Sequence, residues 1–155
     1  MSIQIRKAGL EDAAALSDLV LRNARQTLFS HYSAEQWNVF IQYYSVEAVE
    51  EKIRTQEVFI ALDGDRMAGT IALEEGFVLG FYADPAFMGR GVGTALLQFL
   101  EQYAGEKGLE QLELAASPVA VSFYTQRGWE VVGEEWFVYK GVKFWETRMR
   151  RGCMR

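Results

Sequence analysis

Asp84-Pro85-Ala86-Phe87-Met88-Gly89-Arg90-Gly91-Val92-Gly93-Thr94 leaves an apolar run and enters the most strongly periodic segment of the chain. Phe77 to Ala83, just before it, is apolar at successive positions, as expected of a strand in the middle of a sheet with cover on both faces. After it, Val92, Ala95, Leu96, Phe99, Leu100 and Tyr103 recur at three- and four-residue spacing. That spacing predicts a helix from Gly91 to Lys107, stopped by Gly108. The first N–H groups of a helix lack internal partners and carry positive partial charge, so they bind phosphate oxygens when no side chain intervenes. Gly89, Gly91 and Gly93 carry none. The spacing does not match a dinucleotide fingerprint, whose last glycine would fall on Thr94 or Leu96, nor a P-loop, which needs Lys where Thr94 stands. Taken alone, it is equally consistent with a turn that only joins strand to helix.

Upstream, Ile3 to Lys7 alternates like a strand, and Glu11 to Gln26 carries Ala13, Leu16, Leu19 and Val20 on one helical face. Ser33-Ala34-Glu35-Gln36 has the form of a capping box, which predicts a helix carrying Trp37, Phe40, Ile41 and Tyr44. Ser45 is placed to cap a shorter one with Val46, Val49 and Ile53. Val58 to Leu62 and Met67 to Leu73 flank Asp63-Gly64-Asp65, a hairpin signal, and Glu74-Glu75-Gly76 turns the chain into Phe77 to Ala83. Gly80 interrupts that strand and marks a bulge or a close backbone approach. Downstream, Leu112 to Ala115 reads as a strand and Pro118 to Arg127 as a helix. Trp129 to Tyr139 and Val142 to Met149 read as a hairpin around Lys140-Gly141, with a solvated basic tail from Arg148 to Arg155. The order gives one α+β domain over residues 1–155, a mixed sheet with helices on both faces.

The chain of 155 residues is 50% hydrophobic and 24% charged, which excludes wholesale disorder. No apolar run approaches the roughly 20 residues of a membrane span, and the first residues lack the basic-then-apolar order of a secretory signal. Cys153 is the only cysteine, so a disulfide framework and a cysteine-rich metal site are excluded and a cytoplasmic setting is expected. A net charge of −5 weighs against a broad nucleic-acid surface.

Phe123-Tyr124-Thr125-Gln126-Arg127-Gly128-Trp129 places an aromatic–Tyr pair several residues before Gly and an aromatic. With Met88 to Gly93 after the strand end at Asp84-Pro85, it resembles the GNAT superfamily of acetyl-CoA-dependent N-acetyltransferases. That family's signature is Gln or Arg, two residues, Gly, one residue, then Gly or Ala. The element order is similar along essentially the whole chain. The resemblance implies a mostly antiparallel, splayed sheet of about seven strands, acetyl-CoA as cosubstrate, no metal, and transfer to a primary amine by direct attack on the thioester. It implies that Gly89, Arg90, Gly91, Val92, Gly93 and Thr94 hold the phosphates, and that Phe81, Tyr82 and Ala83 offer backbone to the pantetheine arm and thioester oxygen. Ser117 stands where the family often has Asn, and Tyr124 would touch the cofactor as well. Met88 departs from the pattern, so one side-chain contact near the phosphates is in question while the backbone cradle is not.

An amine attacks only as the free base, and the departing thiolate needs an acid. A phenol of ordinary pKa about 10 stays protonated at neutral pH, so Tyr124 qualifies. On its own it reads as a packed helix aromatic, and with the resemblance it reads as the general acid. Glu113, which points opposite to Leu112 and Leu114, is either the base or a surface carboxylate. His31 is either a surface residue or an acid–base group in the acceptor wall. Trp37, Phe40, Tyr43 and Tyr44 either line an acceptor pocket or pack as core. Trp136, Phe137, Tyr139, Phe144 and Trp145 put aromatics on both faces of the last hairpin, which predicts a homodimer. A non-catalytic acyl-CoA-binding sensor, or a domain whose main role is interaction through that aromatic hairpin, is the alternative reading.

Overall fold

The computed structural model describes residues 2–153; Met1, Met154 and Arg155, at the ends of the expected domain, lie outside them. Seven strands form one sheet in the order β1-β2-β3-β4-β5-β7-β6. They are β1 Ile3–Lys7, β2 Glu57–Asp63, β3 Arg66–Glu74, β4 Phe77–Ala83, β5 Gln111–Ala116, β6 Glu130–Tyr139 and β7 Val142–Gly152. The helices are α1 Ala13–Thr27, α2 Ala34–Tyr43, α3 Val46–Thr55, α4 Val92–Glu106 and α5 Val121–Thr125.

The predicted α2 cap forms as a reciprocal pair, Gln36 N–H donating to Ser33 Oγ at 3.1 Å and Ser33 N–H to Gln36 Oε1 at 2.9 Å. Ser45 Oγ likewise accepts from Ala48 N–H at 3.2 Å to start α3. β2 is apolar on both sides because both are covered. Phe59 and Ala61 join the core beneath α4 with Ile71, Leu96 and Leu100, whereas Val58 and Ile60 join a second core under α1 to α3 with Leu16, Leu19 and Phe40. β4 lies fourth of seven, the central place its sequence predicted.

All strand pairings are antiparallel except β4 with β5, which are parallel and meet only at Phe77↔Glu113. Beyond that point they part. On its other side β4 shifts register between Thr70 and Ala72 of β3, opposite Gly80, whose φ of +54° only glycine adopts without strain. The sheet is thus split at its middle by a bulge that the glycine permits.

Two expectations differ from the structure. The helix expected over Pro118 to Arg127 is confined to Val121–Thr125, because Pro118 to Ala120 close a turn in which Ala120 N–H donates to the Ser117 carbonyl at 2.9 Å. The basic ending is not a tail as far as Gly152. Thr147 and Met149 are buried on one side of β7 while Arg148 and Arg150 on the other pair with Glu113 and Glu130, each at 3.3 Å.

Candidate active site

The gap between β4 and β5 opens into a cleft of about 340 Å³. Phe81, Tyr82 and Ala83 form one wall, Ala116 and Ser117 the other, and Gly93 and Tyr124 close its end. A polar strut from α1 fixes the β4 wall. Asn23 Nδ2 donates to the Ala83 carbonyl at 2.7 Å, and Arg22 pairs with buried Asp84 at 2.7 Å, a contact that holds the carboxyl below its ordinary pKa.

At the start of α4 the first bond closed within the helix runs from Ala95 N–H to the Gly91 carbonyl at 3.0 Å. The N–H groups of Val92, Gly93 and Thr94 therefore precede the helix's own acceptors. Gly89 and Gly91 are left-handed, with φ of +77° and +85°, and a Cβ on either would meet no protein atom within 4 Å. Packing therefore does not demand glycine there, whereas the backbone conformation does, and the space above it stays free for a ligand. This fits a pyrophosphate. The Arg90 N–H is occupied by the Phe87 carbonyl at 3.3 Å, so that residue contributes its side chain. Arg127 donates to Thr94 Oγ1 at 3.1 Å and lies 3.6 Å from the centre of the Phe123 ring, which holds a second guanidinium beside the cradle. Met88 is 44% exposed at the cleft edge.

Replacing Gly91 with Val separates ligand binding from packing. The left-handed backbone costs a branched residue about 1–2 kcal/mol, a fall of a few degrees in melting temperature, while the Cβ intrudes only on the phosphate position. Calorimetry should record at least a tenfold loss of acetyl-CoA affinity in a variant that still melts cooperatively, and unchanged affinity would remove the cradle from the site.

Tyr124 is 8% exposed and its ring contacts Phe81, Phe123 and Trp129. Burial raises its pKa above the ordinary value, so the phenol stays a proton donor. Glu113 does not line the cleft. Its alternation places it on the same side of β5 as Ala115, a cleft residue, but its carboxylate pairs with Arg148.

A second cavity of about 310 Å³ continues from the first under α2. Phe40, Tyr43 and Tyr44 line it with Phe77, Phe137 and Phe144, and Phe40 and Tyr44 are at the same time buried core, the packing role their helical spacing suggested, whereas Trp37 stacks behind on Phe40 at 5.7 Å. Both cavities share Tyr32, Leu79, Gly80, Tyr82, Ala115 and Glu146. Glu146 on β7 is the carboxylate that sequence reasoning missed. Burial raises its pKa to about 7, and among the described residues no lysine or arginine pairs with it. His31 is exposed and lines an outer recess, also bordered by Glu146, rather than either cavity. Among the described residues no three His, Cys, Asp or Glu gather in a metal-holding group, and no helix is long and apolar enough to cross a membrane.

The arrangement provides an unpaired strand edge, a buried proton donor and a carboxylate whose pKa burial raises to about 7 on one continuous space, with an anion cradle meeting it at Gly93. Residues 28–151 match the acetyltransferase (GNAT) domain model. The chain is 28% identical over 149 residues to the uncharacterized N-acetyltransferase YafP of Escherichia coli, covering 96% of this chain and 95% of that one. It is 27% identical over 145 residues to a spermidine N(1)-acetyltransferase of Thermoplasma acidophilum, covering 84% and 90%. Among solved structures, a GCN5-related N-acetyltransferase from Rhodopseudomonas palustris superposes with a TM-score of 0.89 at 25% identity over 98% of this chain and 96% of that one. The PaiA N-acetyltransferase of Thermoplasma acidophilum, solved in complex with coenzyme A, gives 0.81 at 23% over 98% and 99%.

Proposed function

The chain is an N-acetyltransferase of the GNAT family, and from that premise we propose that it transfers an acetyl group from acetyl-CoA to a primary amine that attacks the thioester directly. The observation that carries this reading is that the splayed β4 edge, Tyr124, Glu146 and Gly93 of the cradle border one cleft.

When bound, acetyl-CoA supplies the activated acetyl thioester. The amides of Val92, Gly93 and Thr94 hold its phosphates, with Gly89 and Gly91 leaving the approach open and Arg90 and Arg127 adding charge. On the edge of β4 turned away from β3, the N–H groups between Phe81 and Ala83 that the ladder leaves unpaired would polarise the thioester carbonyl, an effect worth a few kcal/mol when the donors are fixed in advance. Ser117 offers a hydroxyl along the opposite wall. The amine arrives as an ammonium, and Glu146 takes one proton to free the nucleophile and passes it to solvent. The nitrogen then bonds to the acetyl carbon, the carbon–sulfur bond breaks, and Tyr124 donates its proton to the departing sulfur. The second proton released by nitrogen returns to Tyr124 through Glu146 and water, so the products are the amide, the free thiol and one proton to solvent.

The test is release of free thiol from acetyl-CoA across a panel of amines, polyamines included because one relative is a spermidine N(1)-acetyltransferase. Binding of acetyl-CoA without turnover of any amine would favour the non-catalytic alternative.

We also read residues 1–155 as one acetyltransferase domain in the cytoplasm, where a lone cysteine such as Cys153 stays reduced. A homodimer through the β6–β7 hairpin completes the reading. Trp136 and Val138 are 55% and 63% exposed, and Trp145 stacks edge-on against Trp136 at 5.0 Å. Such a patch is stabilised by a second copy. Sedimentation at tens of micromolar should give twice the monomer mass, and a monomer there refutes this.

A further inference from the structure

Resting on the acetyl-transfer reading, we propose that the inner chamber selects a primary amine with a single positive charge and an apolar, preferably aromatic, body, and rejects diamines and polyamines. Fifteen of the described residues line the chamber, and Glu146 alone among these is charged; the others are aliphatic, glycine, phenylalanine or tyrosine. At about 310 Å³ it has room for roughly ten groups of water size, about 30 Å³ each. Glu146 sits at the end shared with the cofactor cleft, so an ammonium paired with it has its nitrogen at the reacting end and its carbon body in the chamber.

Tyr43 meets Tyr139 edge-on at 4.6 Å, and Tyr32 meets Phe144 edge-on at 5.4 Å, so the walls already use the geometry by which aromatic rings attract another ring. The phenols of Tyr43 and Tyr44 have pKa values raised by burial, so they stay neutral and supply no second counter-charge. Lys52 lies 3.5 Å from the Tyr43 ring centre and donates to the Tyr43 carbonyl at 2.6 Å. Burial lowers its pKa to about 8, so below that pH it holds positive charge behind that wall and adds to the bias against a second cation. A diamine anchored at Glu146 would set its far ammonium against aliphatic, phenylalanine and tyrosine side chains with no second carboxylate to pair it, and a charge left without a counter-ion is disfavoured.

The test compares isosteres. Pentylamine and 1,4-diaminobutane differ by a methyl for an ammonium, and 2-phenylethylamine and spermidine extend the set. With thiol release as the readout, kcat/KM for pentylamine should exceed that for 1,4-diaminobutane by at least about tenfold, because the second ammonium finds no carboxylate in the chamber. 2-Phenylethylamine should be better still. Equal or better use of the diamine or spermidine overturns the proposal while leaving acetyl transfer standing. If no amine releases thiol, acetyl transfer itself fails. Calorimetry on the CoA-loaded protein then decides the selectivity, since binding of 2-phenylethylamine without 1,4-diaminobutane upholds it and equal binding ends it. Phe137→Asp places a second carboxylate on the chamber wall and should narrow the preference by at least about tenfold. An unchanged ratio in a folded variant also counts against the proposal.

Discussion

Tyr124→Phe should lower kcat by about 10²-fold, the lower end of what general-acid assistance provides. The lower end applies because the leaving group is a thiol, whose ordinary pKa near 8.5 lets it depart with less help than an alkoxide. The substitution retains the ring and therefore its contacts with Phe81, Phe123 and Trp129. Melting temperature should stay within about 2 °C, since no apolar contact is removed. Acetyl-CoA affinity should change by less than about threefold, so the loss appears in kcat and not in binding. A hydroxyl that only packed would give the opposite pattern, a stability change with kcat intact. Unchanged kcat with an acceptor that turns over well would assign Tyr124 to the core and leave sulfur to be protonated by water.

The sequence was most informative where one local signal determines the outcome. The helix at Val92–Glu106 declares itself by its spacing, and Gly108 ends it in a left-handed residue, with Leu109 N–H returning to the Ala104 carbonyl at 3.0 Å. The β4 break was legible too, because one glycine in a doubly apolar strand has few other uses. Less legible was α5, where Pro118 permits a helical first turn without requiring one and the cleft geometry takes a turn instead. The run Arg148 to Gly152 looked like a tail because arginines dominate it. Only the neighbouring strands, which place Glu113 and Glu130 opposite, reveal cross-strand pairs.

Glu113 and Glu146 show the same limit at the site. Alternation placed Glu113 on the correct side of its strand but said nothing of Arg148, which comes 35 residues later and neutralises it. Glu146 stands between Trp145 and Thr147 in a strand whose aromatics drew attention to assembly. Its partial burial arises because β7 lies between β5 and β6, out of chain order, and so brings Glu146 beneath α2 and beside the β4 bulge. No local window contains that. The available clue was modest: Glu146 shares its strand face with Phe144, so one side of the hairpin joins an aromatic to a carboxylate.

Glu146→Gln should therefore change activity and stability in opposite directions. The groups facing the carboxylate are the phenols of Tyr32, Tyr43, Tyr44 and Tyr82, with Glu135 opposite it on β6 and Arg148 drawn toward Glu113 and Glu135. None neutralises it, and burial sets its pKa at about 7 in place of 4.5. In the folded protein the proton is held more tightly than in the unfolded chain, so Glu146 contributes full stability below pH about 4.5 and loses it as pH rises through about 7. A glutamine does not titrate. The variant should match the parent in acid and exceed it by up to about 3 kcal/mol above pH 7, read as a rising difference in denaturation midpoint. For catalysis the ionised form is the useful one. In the parent, kcat/KM should rise tenfold per pH unit up to about 7 and then stay level toward the pKa of the amine, near 10, because a carboxylate acting on an ammonium is the productive pair throughout that window. In the variant only the rare free amine reacts. Its kcat/KM should be about 10²- to 10⁴-fold lower at pH 7.5 and climb tenfold per unit without a plateau until the amine itself is neutral. A parent-like plateau in Glu146→Gln would transfer the base to another group, and a variant no more stable than the parent at pH 8 would mean that the carboxylate is not held in the desolvated state on which both effects depend.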